Sequence, residues 1–126
     1  MGLIGSKNFV DYPLFPLKKV KFLLNFDILG TGDDGIKVVN GTEFVPEFDR
    51  LVKLNDENRL LAKVSKRGKA AISDHYCFTE KGVRCFYWYT LGGVAHYHDV
   101  HDKPETLPLN EFEDVFRLAV KFFDTF

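Results

Sequence analysis

"KVKFLLNFDILGTGDDGIKVVNG", residues 19–41, is the stretch on which the fold reading turns. Up to residue 29 its side chains alternate, with Val20, Phe22, Leu24, Phe26 and Ile28 set against Lys19, Lys21, Asn25 and Asp27. A period of two belongs to a strand with one buried face, because successive Cβ atoms point to opposite sides of a sheet. Glycines at 30, 32 and 35 then interrupt the run, "IKVV" resumes it, and Asn40-Gly41 supplies turn chemistry. The simplest product is a hairpin.

Outward from this stretch the punctuation is regular. "RLVKL" and "RLLAKVS" flank the polar "NDEN" at 55–58, "KRGK" precedes Ala70-Ala71, and "EKG" and "LGG" end at Gly82 and Gly93. Short β-rich runs between such turn signals predict an antiparallel meander of about seven or eight strands within residues 19–100. The C-terminal "PLNEFEDVFRLAVKFFDTF" differs: Asn110 with Glu113 forms a capping box, and Phe112, Val115, Phe116, Ala119, Phe122, Phe123 and Phe126 recur at helical spacing. The predicted fold class is α+β, mainly antiparallel β: a meander sheet or small open barrel covered by one C-terminal amphipathic helix at about 110–125. Residues 1–126 form one domain in this reading. The order of elements is similar to that of pleckstrin-homology-like domains, a likeness of arrangement from which no activity follows.

Composition narrows the classes. Hydrophobic residues make up 45% and charged residues 28%, with a formal net charge of -1, so nothing global favours nucleic acid or a membrane surface. Two cysteines are too few for a secreted disulfide scaffold, and no apolar run approaches a membrane span. The expectation is a soluble, cytoplasmic protein. Glutamine is absent, methionine occurs once and phenylalanine 13 times. In that depletion of thermolabile side chains the composition resembles small orphan proteins of hyperthermophilic archaea and their viruses, which would make the location host-intracellular.

Both cysteines and all four histidines fall within residues 75–101. With a hairpin turn at Glu80-Lys81-Gly82, Cys77 faces Cys85 across two strands, and His75 and His98 lie on the same side. Opposed Cβ atoms about 5 Å apart would let two thiolates share one ion, so Cys77, Cys85, His75 and His98 form a candidate metal set suited to zinc. Burial of the cysteines as small apolar side chains, a disulfide, and solvated histidines at a strand end are the competing readings.

Two further readings remain open. Lys63, Lys66, Arg67 and Lys69 surround the turn at Gly68 and could carry a basic hairpin to phosphates, and "CFTEKG" resembles the wing-to-helix segment of winged-helix regulators. A Cys/His enzyme would need oxyanion donors beside Cys77 or Cys85, and no glycine-rich elbow supplies them. The sequence therefore favours a non-catalytic binding or structural module, zinc as its candidate cofactor, and a homodimer through an edge strand as its candidate assembly.

Overall fold

The computed structural model describes residues 2–94 and 96–126. In chain order its elements are α1 (Ile4–Asp11), β1 (Leu23–Phe26), β2 (Ile36–Val39), α2 (Val45–Asn58), β3 (Val64–Lys66), α3 (His75–Glu80), β4 (Cys85–Thr90) and α4 (Phe112–Phe123). The strands form one four-stranded sheet in the order β1-β4-β2-β3. β1 runs parallel to β4 and β2 parallel to β3, while β2 and β4 are antiparallel.

The sheet is therefore mixed and the meander expectation is overturned. The alternation at 19–29 does mark a strand, but β1 and β2 are not a hairpin, because β4 lies between them. "RLVKL" is helical: Pro46 opens α2 and Phe48, Leu51 and Asn55 recur at 3.6-residue spacing on its buried side. "HYCFTE", taken as a strand, is α3. The basic segment 63–69 is a three-residue edge strand and its exit, not a hairpin.

Each face of the sheet has its own cover. Phe86 and Trp88 project toward α2 and α4, where they join Ile36, Val38, Leu51, Leu118 and Phe122 in one core. Phe122 is its aromatic hub, with ring centroids 5.5 Å from Phe22, 5.9 Å from Phe86 and 6.0 Å from Trp88. Burying such a side chain contributes roughly 1.5–3 kcal/mol from apolar transfer alone. The expected single stripe of α4 is split: Val115, Leu118, Ala119 and Phe122 are buried, whereas Phe112, Phe116 and Phe123 are exposed. The capping box does not form, since Asn110 Nδ2 donates to Asp33 instead and α4 has no side-chain cap.

On the opposite face Cys85 and Tyr87 pair in register with Leu23 and Asn25, and α3 packs against β4 and β1. Gly35 permits β3 to dock at the edge of the sheet. Its φ is +86°, and a Cβ there would stand 1.9 Å from the Lys63 carbonyl oxygen.

Candidate active-site cleft

Two loops leave the sheet at the same end. One follows β1 as "DILG", the other follows β4 as "LGGV", and since these strands are parallel both loops rise from carboxyl ends, the usual place for ligands in α/β sheets. Asp27 is the first residue beyond β1, and its amide still donates to the Trp88 carbonyl at 3.3 Å. Its carboxylate is held from the side: Asn25 Nδ2 donates to Ser73 Oγ at 2.7 Å, and Ser73 Oγ donates to Asp27 Oδ2 at 3.3 Å. Ile28 follows with φ 56°, a costly value for a β-branched residue, and the Thr90 hydroxyl fixes it by donating to its carbonyl at 2.7 Å.

The second loop is shaped by close approach. A Cβ on Gly92 would lie 2.8 Å from Asp34 Oδ2, and one on Gly93 2.8 Å from Asp33 Oδ2, with φ of +84° and +72° at the two positions. The glycine pair lets the "GTGDDG" and "LGGV" loops pack against each other. Beyond them the chain turns through His96–Asp102, with the His101 amide donating to Asp99 Oδ1 at 2.8 Å.

Between these loops lies a cleft of about 280 Å³ onto which Asp27, Thr31, His96, Tyr97 and Asp102 open. It adjoins a second hollow of about 570 Å³ walled by Ile72, Tyr87, Tyr89, Tyr97 and Arg67. Arg67 Nη1 donates to the Tyr89 hydroxyl at 3.1 Å. Burial first, and the nearby Asp27 carboxylate second, push the Tyr87 phenol well above its ordinary range, so it remains a neutral hydrogen-bonding group. The arrangement offers a fixed anion beside an aromatic wall, with imidazoles on the loop above.

The Cys/His set expected from the sequence is not brought together. His75 and Cys77 lie on α3, Cys85 on β4 and His98 in the far loop, because the segment assumed to be a strand is a helix. His75 does stack on Tyr87, at 5.1 Å, yet it is fully buried and neither ring nitrogen has a partner. Cys85 is a buried thiol beside Thr79 Oγ1 at 3.0 Å and Asn40 Nδ2 at 3.5 Å, and burial pushes its pKa up. Cys77 receives a hydrogen bond from the Ser6 hydroxyl at 3.5 Å, and both cysteines are free. No disulfide joins the two cysteines, and Cys85 is held as a buried neutral thiol.

The basic segment is also otherwise engaged: Lys69 pairs with Glu80 at 2.7 Å, and Lys66 sits 5.6 Å above the Phe48 ring. Asp27, Ser73 and Asp102 were missed in the sequence. The signal for Asp27 was a carboxylate directly after an apolar run and before a glycine loop, which gains meaning only once β1 is parallel. His96 and Asp102 share the cleft with Asp27, but among the described residues no three His, Cys, Asp or Glu side chains converge as a metal would require. The donor types suit zinc, and the described residues supply part of a coordination set, with Asp27 and His96 opening onto one cleft.

A mixed sheet with helices on both faces, and a carboxylate at the carboxyl end of a parallel strand, defines an α/β protein with ligand-binding groups at one end of its sheet. Residues 1–123 match the model of peptidase family M28, and the chain belongs to that family. The zinc aminopeptidase BSAP of Bacillus subtilis shares the fold with a TM-score of 0.73 at 22% identity, covering 94% of this chain and 32% of that one. The LapA aminopeptidase of Legionella pneumophila gives 0.68 at 21%, covering 95% and 34%. The Porphyromonas gingivalis glutaminyl cyclase gives 0.74 at 16%, covering 98% and 48%. The chain thus spans about a third of the two aminopeptidases and about half of the cyclase. No curated protein matches it.

Membership of a peptidase family overturns three expectations: an orphan of archaeal or viral type, a non-catalytic module with nucleic-acid binding as its alternative, and a leaning away from enzymes. Composition had carried the first, and composition does not identify a family. No described helix is long and apolar enough to cross a membrane.

Proposed function

We propose that this chain builds one side of the active-site cleft of a zinc aminopeptidase-type enzyme, with Asp27 as its anchoring carboxylate and an imidazole of the His96–His98 turn as its second donor. The observation that carries this reading is Asp27 itself, clamped by Ser73 at the carboxyl end of β1 and facing that turn. His98 holds φ 59°, a sparsely populated value for a non-glycine residue and a frequent mark of functional sites. The aromatic hollow beside the cleft, with Tyr87, Tyr89 and Ile72, would take the side chain of a substrate's terminal residue. Zinc at such a centre would lower the pKa of a bound water and polarise a carbonyl. This chain's own part is to supply and orient ligands, since among the described residues the donors do not by themselves complete a set.

Zinc affinity tests the reading. Asp27→Asn and a His96→Gln/His98→Gln pair are each expected to weaken binding at least tenfold in equilibrium dialysis at pH 7.5, with secondary structure intact. Affinity unchanged in both variants would remove Asp27 and the His turn from the site.

A further inference from the structure

We infer that Arg67 makes the hollow walled by Tyr87 and Tyr89 a pocket for an acidic side chain, so that the preferred ligand is a peptide with glutamate or aspartate at its N-terminus. The inference rests on the proposed function, in which that hollow takes the terminal side chain of the substrate.

The place of Arg67 follows from the register of the sheet. β3 pairs with β2 through Val38 and Lys66, and the Arg67 amide continues the ladder by donating to the Val38 carbonyl at 2.8 Å. Arg67 is thereby level with Val39, whose partner on β4 is Tyr87, and side chains level with one another share a face of the sheet. Two strand spacings, roughly 10 Å, separate Arg67 from β4. The long side chain bridges them, and its Nη1 donates to the Tyr89 hydroxyl at 3.1 Å.

Three features mark this guanidinium as a recognition group. It is the one charged side chain among the described residues that line the hollow, whose other walls are aromatic, aliphatic, hydroxyl-bearing or glycine. Among the described residues no carboxylate pairs with it, whereas Lys69 on the same segment is paired with Glu80. A guanidinium carries several donors, and the Tyr89 hydroxyl, their one side-chain partner among the described residues, keeps its own proton to give. A carboxylate accepts a forked pair of hydrogen bonds from a guanidinium and a further one from a phenol, so a single acidic group satisfies both residues. An apolar side chain in the same place would strip water from the cation and return no hydrogen bond, and a basic one would meet a like charge. The Tyr87 phenol responds to Asp27 and to Arg67 in opposite directions, so both charges act on one wall. An N-terminal acidic residue carries the complement, an ammonium for the Asp27 side and a carboxylate for Arg67. The hollow, at about 570 Å³, has the size of pockets that take small ligands.

The test is binding of Glu-Ala-Ala-amide and of Met-Ala-Ala-amide to the 126-residue chain without zinc, followed by amide NMR. Methionine is similar to glutamate in length and lacks its charge, and the amide cap removes the other carboxylate. The glutamyl peptide is expected to bind roughly tenfold more tightly, with shifts centred on Tyr89, Gly92 and Gly93. In Arg67→Gln the two peptides should bind alike, and Arg67→Lys should keep part of the preference, because a point charge replaces the fork. Arg67 is exposed, so both variants should unfold at the temperature of the unmodified chain, and added salt should narrow the preference. Equal affinities in the unmodified chain, a preference that survives Arg67→Gln, shifts away from the hollow, or no binding of either peptide overturns the inference. Zinc affinity is read separately. A glutamyl preference that needs Arg67, alongside zinc affinity indifferent to Asp27 and the His turn, would sink the proposed metal centre and leave the acidic pocket standing; the reverse pattern would sink the pocket alone.

Discussion

Substituting Phe122 and Phe116 by alanine separates the two faces of α4. Phe122 is fully buried, with the rings of Phe22, Phe86, Trp88 and Phe126 at 5.2–6.0 Å. Removing a buried phenylalanine costs about 3–5 kcal/mol in transfer and cavity energy, and lost aromatic pairing favours the upper part of that range. With about 2.1 cal/mol/K of unfolding entropy per residue, 126 residues correspond to about 0.26 kcal/mol/K, so a cost of ~4 kcal/mol lowers Tm by about 15 °C. Phe116 is 62% exposed, and its loss should cost about 0.5 kcal/mol, or roughly 2 °C. Thermal unfolding of the isolated chain followed by circular dichroism reads both values. Equal drops would refute the reasoning, because they would mean that Phe116 is packed as closely as Phe122, as a single undivided stripe implied.

The remaining predictions concern the face under α3 and the β2–β3 junction. Burial lowers the His75 pKa, against a smaller raising influence from the Asp74 carboxylate. The unfolded chain therefore takes up this proton first, and stability present at neutral pH is lost as pH falls through 6.5, the unperturbed value. Melting curves from pH 7.5 to 5 should show that decline, with a shallower slope in His75→Gln. A thiol reagent should label one cysteine, Cys77, in the native protein, and reach buried Cys85 only on unfolding. Two rapid equivalents would contradict the packing around Thr79. Gly35→Ala should cost more than about 3 kcal/mol, since the new methyl meets backbone at a positive φ; a loss below about 1 kcal/mol in urea unfolding would show that β3 does not dock as described.

How much of this was legible follows from the range of each signal. Periodicity is local, so "KFLLNF" announced a strand and "EFEDVFRLAVKFF" a helix, and both are present. Pairing is not local: the partner of Leu23 is Cys85, and nothing between residues 19 and 41 reports it. A glycine-rich gap followed by Asn-Gly read as a hairpin because neighbouring strands usually pair, and here a later strand takes the place between them. The helix of "VPEFDRLVKLNDEN" was within reach, since Pro46 and the spacing of Phe48, Leu51 and Asn55 are helical signals that the surrounding turn residues outweighed. Clustered cysteines and histidines drew the site hypothesis toward residues 75–98, whereas Asp27 is a single carboxylate whose role depends on a parallel neighbour.

Because β4 occupies the middle of the sheet and is made last of the strands, synthesis sets the order of assembly. β1 and β2 leave the ribosome with no strand between them, and at about 5–20 residues per second the interval before Cys85–Thr90 arrives lasts several seconds. Only β2 and β3 can pair earlier. Until β4 closes the gap, Phe22, Leu24 and Phe26 lack the strand against which they pack in the folded sheet, so the aromatic core around Phe86 and Trp88 forms late.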